Sequence, residues 1–250
     1  MISRACDLPL TGERTVPGVP EENYWFRRHE VAYRELLPLC AGAVVQETGC
    51  GEGYGADLLA TVARRVVALD YDVPTVRHVA AAYPRVHAVR ANLAALPLRP
   101  STVDVVASLQ VIEHLWDQPG FLAECARVLR PGGRLLLTTP NRLTFSPGRD
   151  TPLNPFHTRE FTAAELAELA RGAGLRVTRV AGVHHGPRLR ELDARYGGSI
   201  IAAQVDVVLS TGPWPTNLLA DVASVSAEDF EVHGDDVDAS LDLIVVAERA

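Results

Sequence analysis

No stretch of the 250 residues is apolar for long enough to span a bilayer, and residues 1–18 lack the continuous apolar core of a secretory leader. A protein without a membrane-spanning helix, in the cytoplasm, is the expectation. Positive charge is also scarce: 24 Lys and Arg face 31 Asp and Glu, for a net charge of -7 and a pI near 5.6. Binding to a nucleic-acid backbone is led by basic surface, so this balance argues against nucleic acid as the main substrate and for a small or neutral one. Cysteine is sparse. Cys6, Cys40, Cys50 and Cys125 show no metal-type spacing and read as reduced thiols. Repeats and low-complexity segments are lacking too. What is present, 47% hydrophobic and 22% charged residues, suffices for one large α/β domain with an appended element.

The most informative stretch is Val44-Val45-Gln46-Glu47-Thr48-Gly49-Cys50-Gly51-Glu52-Gly53-Tyr54-Gly55, an apolar strand entering a glycine-rich turn, followed by a second strand ending on Asp70. Glycines at alternate positions let the backbone turn tightly and lie against a ligand, and an acid about twenty residues later can accept from ribose hydroxyls. The glycines alone fit a surface turn; the strand before them and the helical pattern over 54–63 favour a crossover unit. Register separates the cofactors. Counted from Gly49, the third glycine of a dinucleotide loop falls on Tyr54, which fails. Counted from Gly51, the places hold Gly51, Gly53 and Ala56, a tolerated variant, so NAD stays open but weakened.

The pattern Glu47-x-Gly49-x-Gly51-x-Gly53 resembles motif I of the class I S-adenosylmethionine-dependent methyltransferases. Four later segments continue the resemblance in order: Leu69-Asp70-Tyr71-Asp72, Ala91-Asn92-Leu93, the run from Val103 through Val111-Ile112-Glu113-His114-Leu115, and Arg127-Val128-Leu129-Arg130-Pro131-Gly132-Gly133. It covers residues 44–181. The resemblance implies S-adenosyl-L-methionine as cofactor, with Glu47 near its methionine part and Gly49, Gly51 and Gly53 forming the loop. Asp70 would take the ribose, Tyr71 would lie beside the adenine, Asn92 and Leu93 would contact the adenine, and the Gln110 and Val111 backbone would meet the sulfonium-bearing part. Asn92 stands where the family often has Asp, yet an amide oxygen still accepts from an adenine amino group. Plainer readings are packing for Tyr71, a helix cap for Asp72 and a turn for Asp104.

Strand runs at 44–48, 65–70, 86–90, 103–109 and 134–139 alternate with helical segments, which implies a parallel, doubly wound α/β sheet. Thr162 is expected to cap a helix to Gly172, residues 175–183 to form a sixth strand and 241–247 the last. The resemblance implies a Rossmann-like, seven-stranded sheet with an antiparallel final strand. The gap between strands six and seven is too long for a hairpin, so a helical cap is expected there, with helices near 188–196 and 199–209. The resulting division is an amino-terminal lid over 1–43, a cofactor-binding core over 44–183, an acceptor cap over 184–240 and the last core strand over 241–250. The lid rests on Tyr24-Trp25-Phe26-Arg27-Arg28-His29, which resembles the aromatic and basic helix that such enzymes fold over the cofactor. Tyr24 would shield it, and Arg27 or Arg28 would pair with its carboxylate. A helix docked on the sheet is the other reading.

Methyl transfer to an alcohol needs alignment of the acceptor and removal of a proton. His114, His157 and Glu113 are the candidate catalytic residues, with Asp150 and His184 behind them. Gln110-x-x-Glu113-His114 resembles the Glu-x-x-Glu-His group of metal-dependent quinone-type O-methyltransferases with its first acid replaced. No metal ligand is assigned, and Mg²⁺ on Glu113 and His114 is the lesser reading. The segments 10–15, 24–29, 144–150 and 185–190 resemble a mycobacterial-type O-methyltransferase associated with methylated glucose polysaccharide, with the 6-hydroxyl of glucose one implied target. The implied function is O-methylation of a sugar hydroxyl on an oligo- or polysaccharide, the carbohydrate held by Arg188, Arg190, Asp193, Arg195, Tyr196 and Trp214. The same cap surface also reads as a homo-oligomer contact. Two alternatives remain: a methyltransferase for a lipid, quinone or secondary metabolite, and a cofactor-binding protein without catalysis.

Overall fold

The computed structural model describes residues 14–210 and 212–250. Cys6 and residues 10–13 of the sugar-methyltransferase resemblance lie outside the described residues, as does the start of the expected lid. Among the described residues a 3-10 turn (Pro20–Glu22) leads into helix α1 (Asn23–Leu36), followed by β1 (Val44–Thr48), α2 (Tyr54–Leu59), β2 (Arg65–Asp70), α3 (Val73–Ala82), β3 (Val86–Arg90), β4 (Val103–Leu109), α4 (Gln118–Val128) and β5 (Leu129–Pro140). A short α5 (Arg142–Phe145) and α6 (Ala163–Gly172) precede β6 (Leu175–His185). Then come α7 (Pro187–Arg195), α8 (Ile200–Ser210), α9 (Thr216–Ala223), β7 (Phe230–His233) and β8 (Asp242–Arg249).

The strands form one sheet in the order β3-β2-β1-β4-β5-β8-β6-β7. Strands β1 to β5 pair in parallel, while β8 pairs antiparallel with both β5 and β6. The sheet is buried on both faces, so neighbours along a strand serve opposite cores: Leu136, Ile244 and Val246 join one apolar cluster, Leu135, Leu137 and Val245 the other. Local chemistry starts the helices. Asp72 accepts from the Thr75 backbone N–H and caps α3, and Thr162 with Glu165 makes a reciprocal capping box on α6.

The expectation of seven strands is corrected to eight among the described residues. Residues 230–233 pair antiparallel with β6 as an edge strand, because Phe230 is buried and packs 5.5 Å from the Tyr24 ring. Glu228, Asp229, Glu231 and Asp235 surround its two apolar residues, Phe230 and Val232, and mask the strand pattern in the sequence. The cap between β6 and β8 is therefore mixed, with three helices and a strand. At the other end of the chain, α1 is docked by buried contacts. The Arg28 guanidinium makes a two-pronged ion pair with Asp242, both bonds 2.6 Å, at the start of β8.

Candidate functional site

In a parallel sheet ligands gather beyond the carboxyl ends of the strands. At that edge β1 ends in the glycine loop, where Gly49, Gly51 and Gly53 adopt φ of 68°, 52° and 100°. Left-handed backbone favours glycine, and space demands it at Gly49, where a Cβ would come within 2.7 Å of a Val111 methyl. The Gly49 and Cys50 N–H groups both donate to the Leu69 carbonyl, at 2.8 and 3.0 Å, which ties the loop to the end of β2. Asp70 there accepts from the Gly51 and Asp72 N–H groups. Burial raises its carboxyl above the ordinary value.

Glu47 lies behind this loop, fully buried. The Tyr33 hydroxyl donates to its Oε1 at 2.7 Å, while Oε2 has no partner among the described residues. Burial pushes its carboxyl up to about 8. Sequence reasoning missed Tyr33. The available signal was Gly55, where any side chain would strike the Tyr33 ring. Tyr71 is 68% exposed beside Arg90, whose guanidinium lies 5.2 Å from its ring centre. Leu93 is buried; Asn92 is exposed, its side-chain oxygen accepting from the Ala94 N–H. Gln110, after β4, holds φ at 56°, a left-handed value that is costly outside glycine, and its N–H donates to Thr138. Gly49 lies beside Val111 and Gly51 is bonded to Asp70, Glu47 stands next to last in the strand that leads into the loop, and Tyr71, Asn92, Leu93 and Gln110 follow neighbouring strand ends.

Tyr24 and Arg27 are placed elsewhere. The Tyr24 hydroxyl is buried 2.7 Å from His185 Nε2, and Arg27 pairs with Glu30 at 2.6 Å. Arg28, the other arginine expected at the cofactor, is held by Asp242. The α1 residues that reach β1 and the start of α2 are instead Tyr33, Phe26 and His29, Phe26 lying edge-on to Tyr54 and His29 Nδ1 3.5 Å from its hydroxyl.

The three candidate catalytic residues converge. Glu113, His114 and His157 each offer one polar atom, all within 4.8 Å of one another. The turn Ile112–His114 supplies two of them, and the loop after α5 brings the third: the Thr158 N–H donates to the Glu113 carbonyl at 2.7 Å. The rings of His114 and His157 meet edge to face at 4.9 Å. His114 Nδ1 lies 3.1 Å from the Phe156 carbonyl. His157 Nδ1 lies 2.8 Å from Glu160 Oε1, and its Nε2 lies 3.1 Å from the Asn154 amide nitrogen. Because the Asn154 oxygen already accepts from the Phe156 N–H, the amide donates to Nε2. That makes Nδ1–H the donor to Glu160 and Nε2 the basic position. Glu113 is buried, accepts from the Thr139 hydroxyl at 3.0 Å, and has its carboxyl pushed up to about 8 by burial. Two imidazoles and a carboxylate suit proton transfer and also match the donors of a divalent-cation site. His184 stacks on His233 at 3.9 Å, outside this cluster.

The cap does not present the polar set expected for carbohydrate. Arg188 pairs with Asp229, Arg190 with Glu231, Asp193 with His185, and Arg195 and Tyr196 both with Asp221. Trp214 packs against the core. Those side chains fasten the cap to itself and to the sheet. A cavity of about 380 Å³ opens at the opposite edge, among Val44, Arg64, Arg65, Thr102 and Arg130, at the amino ends of the strands and away from these groups.

Comparison with known proteins gives the family. Residues 46–137 match the family described as a methyltransferase domain. The chain is 63% identical to a Mycolicibacterium smegmatis protein named "Probable S-adenosylmethionine-dependent methyltransferase", over 97% of this chain and 95% of that one. It is 32% identical to a ubiquinone biosynthesis O-methyltransferase of Xanthomonas euvesicatoria pv. vesicatoria, over 59% of this chain and 68% of that one. The fold is similar to that of a SAM-dependent methyltransferase from Thermotoga maritima, with a TM-score of 0.62 at 17% identity, covering 90% of this chain and 93% of that one. The chain belongs to the class I S-adenosylmethionine-dependent methyltransferases. It is an enzyme, and S-adenosyl-L-methionine is its cofactor, with S-adenosyl-L-homocysteine the product. The residues fit that group: the Oε2 of Glu47, without a partner among the described residues, can accept from an ammonium, and Asp70 sets a carboxylate beside the glycine loop for the ribose hydroxyls.

Proposed function

We propose that this methyltransferase O-methylates a sugar hydroxyl of an oligo- or polysaccharide, with a glucose unit as acceptor and its 6-hydroxyl as the leading position. In this reading the core, residues 44–183 with 241–250, holds the cofactor through Glu47, Gly49, Gly51, Gly53, Asp70, Tyr71, Asn92, Leu93, Gln110 and Val111. The cofactor supplies an electrophilic methyl carbon. The acceptor hydroxyl displaces the Asn154 amide from His157 Nε2, which then takes the hydroxyl proton as the oxygen–methyl bond forms, with Glu160 holding the ring and supporting the imidazolium that results. Glu113 and His114 line the same spot.

The observation that carries this reading is the convergence of Glu113, His114 and His157, with His157 oriented by a buried carboxylate. The test is transfer of labelled methyl to maltotetraose. His157→Gln is expected to slow it by roughly 10²–10⁴-fold, the usual worth of a general base, with homocysteine-product binding retained by calorimetry. Transfer at the wild-type rate would sink the assignment. A small aromatic acceptor is the second reading, favoured by the likeness to a ubiquinone biosynthesis O-methyltransferase. Preferential methylation of a catechol would establish it.

A further inference from the structure

A second cavity, of about 180 Å³, lies beside the catalytic cluster, between α5 and residues 149–160. It is smaller than the roughly 300–1,000 Å³ of a drug-sized ligand site, and so suits one ring and not a chain of them. Its walls carry Arg142, Arg149, Asp150, Thr158, Arg159 and Glu160. We infer that this cavity is the acceptor subsite and takes one polyhydroxylated ring of a carbohydrate. The inference rests on the sugar-methylating reading above and moves the acceptor from the cap, whose polar side chains are used internally, to the loop between β5 and α6.

Three features select the ligand. Glu160 is only 2% exposed; its Oε1 holds His157, and its Oε2 has no partner among the described residues. A buried carboxylate oxygen needs a donor. An anion or a ketone-type oxygen brings only acceptors, and an apolar ring brings neither, whereas a hydroxyl donates, on a sugar as on a catechol; the next feature separates those two. The second feature is charge balance. Glu165 reaches Arg142 at 3.3 Å and Arg159 at 3.8 Å, so three guanidinium groups stand among three carboxylates. A near-neutral wall of strong donors and acceptors matches a neutral ligand with many hydroxyls. Arg149 has no ion pair or side-chain hydrogen bond among the described residues, which leaves its donors for that ligand. The third feature is the apolar surface around the site. Phe156, Leu153 and Trp116, 46%, 52% and 90% exposed, sit on the segments that carry His157 and His114, where an aromatic face can pack against the C–H face of a sugar.

Saturation-transfer NMR of maltotetraose on the complex with S-adenosyl-L-homocysteine tests this directly, and kinetics with the same acceptor complete it. Wild type is expected to bind the sugar. Arg149→Ala, an exposed change, is expected to weaken sugar binding at least tenfold and raise KM with kcat and product binding unchanged. Glu160→Gln, at a residue that also positions His157, is expected to lower kcat as well. Arg190→Ala on the cap should alter neither. If wild type binds maltotetraose and both Arg149→Ala and Glu160→Gln bind it equally well, the subsite lies elsewhere and sugar methylation stands. If wild type binds no sugar and methylates a catechol instead, the functional reading fails and the subsite falls with it.

Discussion

Replacing Gly49 by alanine introduces two separable penalties at the centre of the cofactor loop. The first is conformational: φ of 68° is left-handed, which costs an L-residue about 1–2 kcal/mol. The second is steric. The new Cβ would lie 2.7 and 3.0 Å from the two Val111 methyls, and Val111 is nearly buried next to the strained Gln110, so neither side gives way easily. Overpacking of this kind costs about 1–3 kcal/mol, for a total of roughly 2–5 kcal/mol. Urea denaturation of Gly49→Ala, Val111→Ala and the double variant separates the two. Val111→Ala alone should lose about 1.5 kcal/mol of burial. The double variant should be more stable than the sum of the singles by the steric share, about 1–3 kcal/mol, while the conformational share persists. Strict additivity would show that contact with Val111 is not what excludes a side chain at Gly49.

Glu47 gives a pH dependence. Its carboxyl is raised in the folded protein from an ordinary 4.5 to about 8, so its contribution to stability is whole below pH 4.5 and is lost as pH rises towards 8, with a slope of up to about 1.4 kcal/mol per pH unit. Glu113 shares the direction, so Glu47→Gln should flatten but not abolish the fall in Tm of the cofactor-free protein; an unchanged slope refutes the assignment. The Arg28–Asp242 pair is almost wholly buried, and Arg28→Ala should cost about 3–5 kcal/mol by chemical denaturation. Arg28→Met with Asp242→Leu should recover most of it, and a double variant as unstable as the single would show that shape, not the stranded charge, matters. Finally, with His157 as base, a chelator should leave methyl transfer unchanged. Loss of activity restored by Mg²⁺ or Zn²⁺ would assign Glu113, His114 and His157 to a cation instead.

The parts legible in the sequence were those written in neighbouring residues. Apolar runs such as Leu135-Leu136-Leu137 announced buried strands, Thr162 announced a helix start, and the glycines after Thr48 announced the loop. Contacts across long separations carried no local trace. Tyr33 on Glu47 and Arg28 on Asp242 turn an expected lid helix into a docked one, because the chemistry that made Arg28 attractive for a carboxylate ligand was satisfied by a carboxylate of the protein. The cap arginines illustrate the same limit: their polarity was visible, their partners Asp221, Asp229 and Glu231 were not. Strand β7 was hidden by its acidic flanks, since an edge strand of four residues offers only Phe230 and Val232 as an apolar pattern.

The position of β8 sets an order of events during synthesis. Strand β6 has no direct contact with β5 in the sheet, because residues 242–249 lie between them. A ribosome therefore releases the glycine loop and strands β1 to β5, which can assemble from local crossovers, well before the carboxyl-terminal half of the sheet has anything to join. Until β8 arrives, β5 presents an open apolar edge and β6 with its cap remains undocked. Such an edge is a template for pairing with other chains. The closing strand thus acts as a late keystone, and a nascent chain stalled before residue 242 is the species most in need of a chaperone.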